Sequence, residues 1–232
     1  LYSPNPVAML NMKNSHESSQ LLANAYAEFS IYKGLKFRAD YGHTNYKYES
    51  SYFRPIITQQ DQSILGESPI STLTLWNGIY KTSTANFQVD YKLDTGKHNI
   101  NALLGYGTER TRNVLTTLTY EGFPNDEVLN NVASAKWSSG QNQILQKHGL
   151  NSWFTRLNYG YFNKYFAEFS FRADASSKFG PNNQWGYFPA FSAAWVASQE
   201  NFFKHFRWLD NLKFRASIGQ TGSTNIDDFS YR

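Results

Sequence analysis

The stretch RADASSKFGPNNQWGYFPAFSAAW, residues 172–195, leads from one predicted strand through a polar turn into a second strand. Polar and apolar residues alternate up to Asp174, a segment rich in Gly, Pro and Asn follows, and aromatic residues then return. Arg172 and Asp174 lie on the first strand, and Phe179 and Trp185 lie in the turn. The fold depends on which face of these strands meets water and which meets an apolar medium.

The same alternation recurs along most of the chain and predicts an all-β protein with eight strands. In most segments, residues of one parity are apolar or aromatic and those of the other parity are mainly charged, amide, Ser or Gly residues, whereas 187–197 alternates less clearly. The predicted strands are 21–32, 35–42, 84–93, 99–106, 153–161, 165–174, 187–197 and 212–219.

The predicted connections alternate in length. Tight turns at 32–34, 94–97 and 162–164 alternate with long polar segments at 47–78, 112–148 and 178–186. Short turns at one end and long loops at the other are typical of an outer-membrane barrel, although a soluble up-and-down barrel also has them. The connection 198–211 is predicted to be a short amphipathic helix, with one apolar side formed by Phe202, Phe203, Phe206 and Leu209.

Turn chemistry predicts the strand register. A three-residue loop with Gly34 in the left-handed conformation is a common hairpin closure. It pairs Ile31 with Leu35, Ser30 with Lys36 and Glu28 with Arg38, which places opposite charges across the polar face. The turn 162–164 by the same reasoning gives the pairs Tyr161 with Tyr165 and Asn158 with Glu168, with Arg156 diagonal to Glu168.

The two faces of the predicted sheet differ in charge. The polar face carries Arg, Lys, Asp and Glu at most positions, whereas the other face is uncharged and rich in Ala, Phe, Tyr and Leu. Tyr and Trp recur near both ends of the uncharged face, as in the aromatic girdles of transmembrane barrels. The pattern therefore favours an antiparallel up-and-down transmembrane β-barrel segment. A soluble sheet with a dry apolar core remains the alternative.

Composition excludes several other classes. The chain of 232 residues has no cysteine and a net charge of +4 with its basic residues scattered singly, so we predict neither a Cys-based metal site nor nucleic-acid binding. No apolar run approaches the roughly 20 residues of a membrane helix. We predict no catalytic residues, no metal site and no cofactor: GYGTER (105–110) lacks the third glycine of a dinucleotide loop, and no partner for His43 or His148 is evident.

Three motifs carry a resemblance to a known family. RADASSKFG (172–180), NQWGYFP (183–189) and LKFRASIGQTG (212–222) resemble elements of the SusC/RagA family of TonB-dependent outer-membrane transporters. NPVAML (5–10), GLKFRADYG (34–42) and RLNYGYFNKY (156–165) look like further blocks in the same order. Ala175 stands where the family usually has Gly, which suggests a β or αR backbone there, and Ser223 stands where Asn often follows the Thr-Gly pair.

The resemblance implies that residues 1–232 are a middle part of a 22-strand barrel, with the plug domain outside this chain. Because the chain starts at Leu1 without an initiator Met, we expect a piece of a longer protein. The family imports glycans or peptides across the outer membrane with a SusD-like surface lipoprotein, and TonB acts through the plug. The expected surroundings are lipid and lipopolysaccharide, and no covalent chemistry is expected. The alternatives are a soluble carbohydrate-binding module and an outer-membrane barrel enzyme.

Two sets of candidate site residues follow. Side chains of the charged face are predicted to face the lumen and to form ion pairs that hold strands and plug, or to contact a passing solute. Aromatic residues of predicted outer loops are candidates for stacking on a ligand, or for packing within the loops. The lumen-facing set is Glu28, Arg38, Asp90, Arg156, Glu168, Arg172, Asp174, Lys213 and Arg215; the loop set is Trp76, Trp137 and Trp185.

Overall fold

The computed structural model describes residues 6–59, 70–125, 130–203, 210–224 and 226. Within them, one sheet of eight strands follows chain order, which confirms the predicted antiparallel up-and-down arrangement. A four-residue helix, α1 (Pro6–Met9), precedes the sheet. The strands are β1 Lys13–Tyr32, β2 Leu35–Arg54, β3 Thr72–Asp94, β4 His98–Glu121, β5 Trp137–Tyr161, β6 Tyr165–Ser176, β7 Trp185–Val196 and β8 Lys213–Gly219.

Five strands are much longer than the alternating pattern predicts. Much of the predicted loops 47–78 and 112–148 is strand, because β2 runs to Arg54, β4 runs to Glu121 and β5 begins at Trp137. The loop predictions were therefore wrong at 47–54, 72–78, 112–121 and 137–148, all of which are strand. A strand whose two faces are both polar shows no alternation, yet its backbone hydrogen bonds form equally well. The connection after β6 is close to its predicted bounds.

The tight turns follow the predicted backbone chemistry. Gly34 has φ +80°, and Phe162 and Asn163 have φ 51° and 55°, which are left-handed values. The carbonyl of Gly34 also accepts a hydrogen bond of 2.7 Å from the backbone N–H of Lys92. The first hairpin is therefore fixed to β3 as well as closed on itself. Ala175 lies in extended backbone within β6, as expected.

In the described parts of the predicted helix 198–211, residues 198–203 and 210–211, no α-helix is formed. After β7 the backbone makes one 3-10 turn, Ala197–Gln199, and Glu200 then returns to extended backbone (φ −76°, ψ 148°). Phe206 and Leu209, half of its predicted apolar side, lie outside the described residues. No helix in the described ranges is long and apolar enough to cross a bilayer.

The chain divides into two compact units. The first contains the strand ends next to the long connections, and the second contains the rest of the sheet, including the short turns. The first unit is Leu1–Leu22, Thr44–Lys81 and Thr111–Lys147; the second is Ala23–His43, Thr82–Arg110 and His148–Arg232.

The first unit has a small apolar core. Phe53, Leu73 and Phe123 are almost fully buried, and the rings of Phe53 and Phe123 meet edge to face with centroids 5.3 Å apart. Ser71 is fully buried beside them, and its Oγ accepts a 3.1 Å hydrogen bond from the backbone N–H of Phe123. This core fixes the segment after β4 against the start of β3.

The second unit has two distinct faces, and strand register defines them. Asn158 lies opposite Glu168, and Tyr161 lies opposite Tyr165, as predicted. Since directly opposed residues share a face and neighbours along a strand alternate, the charged and uncharged sides separate across β5 to β8.

The uncharged face of the second unit stays exposed. Leu157, Phe169, Phe191 and Phe214 lie on it and expose 45%, 44%, 52% and 54% of their surface. A soluble module would cover such residues with a core, because large contiguous apolar patches are rare on soluble proteins. The open face favours contact with lipid.

Candidate functional site

The strand register brings all six predicted lumen-facing residues of the C-terminal half to one face. Opposed pairs connect Glu168 to Ser192 of β7 and Ser192 to Ser217 of β8, so alternate residues on each strand share this face. The opposite face carries the exposed apolar residues. The charged residues gathered in this way are Arg156, Glu168, Arg172, Asp174, Lys213 and Arg215.

Arg172 and Asp174 form a fixed ion pair on this face. Arg172 Nε donates to both carboxylate oxygens of Asp174, at 2.8 and 2.7 Å, and Nη2 donates to Ser152 Oγ at 2.9 Å. Ser152 is only 4% exposed. A guanidinium bound on two sides and neutralised by its neighbour is held in one position, which supports a structural role for the pair.

The N-terminal members of the predicted set use other partners than expected. Glu28 Oε1 accepts from Lys36 Nζ at 2.7 Å, and Arg38 Nη2 donates to Asp40 at 2.6 Å. These contacts replace the predicted ionic contact between Glu28 and Arg38, because each residue has an opposite charge nearer along the same face. Asp90 accepts from Gln88, two residues away on β3.

Three phenylalanines lie on the charged face, which the sequence analysis missed. Phe154, Phe166 and Phe188 have the parity of the charged residues on their strands. The guanidinium of Arg172 lies 5.9 Å from the ring centroid of Phe154, and Lys213 Nζ lies 4.8 Å from that of Phe166. Both distances suit cation–π contact. In the sequence, the only indication was that these phenylalanines occupy the same alternate positions as the charged residues of their strands.

The Gly-x-Gly of GYGTER has a packing role. A Cβ added at Gly105 would overlap the ring of Phe154, and one at Gly107 would approach Asn86 Oδ1 to 2.7 Å. Gly105 therefore makes room for the ring of Phe154 on β5, and Gly107 makes room for Asn86 on β3, rather than for a nucleotide phosphate.

The three family-like motifs meet at one cavity. A concavity of about 270 Å³ lies between the turn after β6 and the segment after β8. Phe188 forms part of its wall, and a Cβ added at Gly222 would overlap the Phe188 ring. Backbone bonds from Ser176 to Gln184 and from Asn183 to Gly180 fix the turn, as expected for a turn of defined shape. Phe179 lines this cavity.

The three candidate tryptophans do not lie in loops. Trp76 lies inside β3, and Trp137 and Trp185 are the first residues of β5 and β7. Trp137 Nε1 donates to Glu121 at 3.1 Å, and Trp185 opposes Ala175 on the uncharged face. The loop placement was wrong because the strands extend further than the alternation; ligand contact by these residues stays a prediction.

The histidines do not assemble a catalytic or metal site in the described part of the chain. His43 Nδ1 lies 2.9 Å from Ser83 Oγ, a partner that sequence did not indicate, and no carboxylate is bonded to this pair among the described residues. In the same residues, no group of three or more His, Asp or Glu side chains is placed to hold a metal ion.

Comparison with known proteins gives consistent matches. No family model matches the chain. TonB-dependent receptor P39 of Formosa agariphila is 30% identical over 97% of this chain, and TonB-dependent receptor SusC of Bacteroides thetaiotaomicron is 42% identical over 39% of it. The aligned residues span 22% of the length of receptor P39 and 9% of the length of SusC.

A solved structure shares the fold. The chain superposes on a structure of the RagAB peptide transporter with a TM-score of 0.85 at 24% identity, covering 96% of this chain and 24% of that one. The relatives are receptors and transporters, in agreement with the prediction that this chain is not an enzyme. Sequence and fold together identify the chain as a β-barrel part of a SusC/RagA-type TonB-dependent receptor, about a fifth of the length of its curated relatives.

Proposed function

We propose that the chain is a wall segment of a SusC-like TonB-dependent transporter in the cell outer membrane. Residues 1–232 would all belong to the barrel, with the plug outside them. The observation that carries this proposal is the separation of faces in the second unit: Phe191 and Phe214 are exposed on one side while Arg172 and Glu168 lie on the other. An apolar outer band and a polar interior are what a transmembrane barrel requires.

The whole assembly would import a glycan or a peptide together with a SusD-like surface lipoprotein. TonB would act through the plug, and the barrel would supply the wall and contacts to cargo without covalent chemistry. Similarity in sequence to SusC and in fold to the RagAB peptide transporter supports a nutrient transporter. The segment alone would not transport, because a partial sheet leaves unpaired strand edges in lipid.

Fractionation of the native cells tests the membrane placement. We would raise an antibody against residues 112–148 and probe outer-membrane and soluble fractions, with and without heating before electrophoresis. We expect a heat-modifiable outer-membrane band several times heavier than 26.7 kDa, since the curated relatives are far longer than this chain. A soluble band at 26.7 kDa would instead favour the carbohydrate-binding module.

The cargo requires a separate experiment. The gene would be deleted in the native organism, and growth would be compared on a panel of glycans and of peptides as sole nutrient. Loss of growth on one class, restored by the intact gene, would assign the substrate class. Co-purification of a surface lipoprotein with the tagged intact protein would establish the partner, and its absence under mild detergent would contradict that part of the proposal.

A further inference from the structure

A polar cluster interrupts the uncharged face of the second unit. Asn151 Oδ1 accepts hydrogen bonds from Thr108 Oγ1 at 2.9 Å and from Arg110 Nη1 at 3.3 Å. The Tyr106 hydroxyl donates to the same oxygen at 3.4 Å, and the Tyr106 ring lies 4.8 Å from that of Trp153. Asn151 opposes Ala175, and Trp153 opposes Ala173, which places the cluster on the side away from the charged face.

A glycine holds the guanidinium of Arg110 against the sheet. A Cβ added at Gly149 would overlap Arg110 Nη1 and would lie 3.0 Å from its Cδ and Cζ. Arg110 Nη1 also donates to the carbonyl of Glu109 at 3.1 Å. The absence of a side chain at Gly149 thus lets the guanidinium lie flat across β5, in a fixed place on the surface.

The height of the cluster matches the outer boundary of a bilayer. Arg110 is twelve residues from His98, the first residue of β4 at a short turn. At about 3.4 Å per residue and a tilt of about 40°, it lies about 30 Å from the short-turn end, just beyond an apolar band about 25 Å tall. The ring pair of Tyr106 and Trp153 lies immediately below it, where an aromatic girdle is expected.

We propose that Arg110, Asn151 and Thr108 form a binding site for the phosphate of a phosphorylated glycolipid in the outer leaflet, the class represented by lipid A. This inference rests on the proposed placement in the outer membrane. Three donors converge on Asn151 Oδ1, which orients its Nδ2 amide as a donor, and the guanidinium adds several more. None of these side chains is anionic, and a planar guanidinium suits phosphate oxygens. The adjoining rings of Tyr106 and Trp153 offer a surface for the sugar of such a lipid.

The test uses the intact protein in lipid nanodiscs. Binding of lipid A and of enzymatically dephosphorylated lipid A would be measured by native mass spectrometry for the wild type and for Arg110→Gln. We expect the wild type to prefer the phosphorylated form and Arg110→Gln to weaken its binding about fivefold, the effect of one basic residue near an anionic surface. Arg156→Gln, on the opposite face of β5, is the matched control and should bind lipid A like the wild type.

The outcomes separate this site from the proposed function. Equal binding of lipid A by the wild type and Arg110→Gln, in protein embedded in the membrane, would overturn the site alone. Absence of the wild type from the outer-membrane fraction would overturn the proposed function and the site together. The comparison of lipid A with dephosphorylated lipid A uses only the wild type, so it decides the question even if Arg110→Gln fails to fold. Equal binding of the two lipids by the wild type would also overturn the site.

Discussion

Phe191 and Ser192 are neighbours in β7 whose side chains lie on opposite faces of the sheet. Phe191 opposes Phe169 and Ile218, and Ser192 opposes Glu168 and Ser217. Arginine introduced at each position therefore carries the same charge, at nearly the same height, to the two different faces. The pair Phe191→Arg and Ser192→Arg tests directly which medium each face meets.

The expected energies differ by several kcal/mol. Phe191 is five residues from Val196, the end of β7, and thus about 13 Å above the short-turn end, near the middle of a 25 Å apolar band. Arginine facing lipid at that depth destabilises a barrel by about 2–4 kcal/mol. If water covered that face, the half-exposed Phe191 would tolerate the change within about 0.5 kcal/mol. At Ser192 the arginine faces Glu168, so we expect a change of at most about 1 kcal/mol.

Heat-modifiability of the intact protein in outer membranes measures both effects. The temperature at which the folded band converts to the unfolded one would be determined for the wild type and the two variants. We expect a marked drop, or loss of the folded band, for Phe191→Arg and a temperature close to the wild type for Ser192→Arg. Equal behaviour of the two variants, with both in the outer membrane, would refute the assignment of faces.

Two further predictions concern the short-turn end. Gly34 and Gly96 both have φ +80°, but an added Cβ would overlap the Lys92 carbonyl only at Gly34 and would meet nothing within 4 Å at Gly96. Gly96→Ala should therefore cost about 1–2 kcal/mol in thermal unfolding and Gly34→Ala distinctly more; equal costs would contradict the clash. The pKa of the Glu200 carboxyl lies below its ordinary value of 4.5. The largest cause is the hydrogen bond from Tyr165, and the second is the hydrogen bond from Lys164. Because the folded-state pKa is depressed, its stabilisation is present above pH 4.5 and is lost as the pH falls through the folded value. Glu200→Gln should lower the unfolding temperature at pH 7 and have a smaller effect as the pH falls below 4.5, whereas an equal effect at neutral and acidic pH would argue against the pair.

The alternating pattern predicted the parts of the strands next to the short turns well and the parts next to the long connections poorly. The bounds of β6 and β8 differ from prediction by at most two residues, because one face of each is apolar along its length. The pattern found β4 only up to Tyr106, whereas the strand continues to Glu121. In the added part of β4, 107–121, apolar and polar residues no longer alternate, so periodicity carries no signal there although the strand continues.

The candidate site was predictable as a face but not as a set of contacts. The register of β5 and β6 followed from the turn 162–164, and it correctly placed Arg156 diagonal to Glu168. The ion pair of Arg172 and Asp174, in which Nε donates to both carboxylate oxygens, connects residues two apart on one strand. Its geometry depends on side-chain rotamers rather than on spacing. The tryptophans were misplaced because their loop assignment depended on the strand ends.

By itself, the sequence determined the all-β class, the register of the hairpin at 162–164 and the separation of charge between two faces of the C-terminal strands. These features depend on local alternation and on the backbone freedom of a few turn residues, which are written in consecutive positions. Only the tertiary structure decided that Phe154 fills the space over Gly105 and that Arg110 lies across Gly149. Such contacts join residues about 40 or more positions apart, and their geometry depends on which strands become neighbours and how far each one extends.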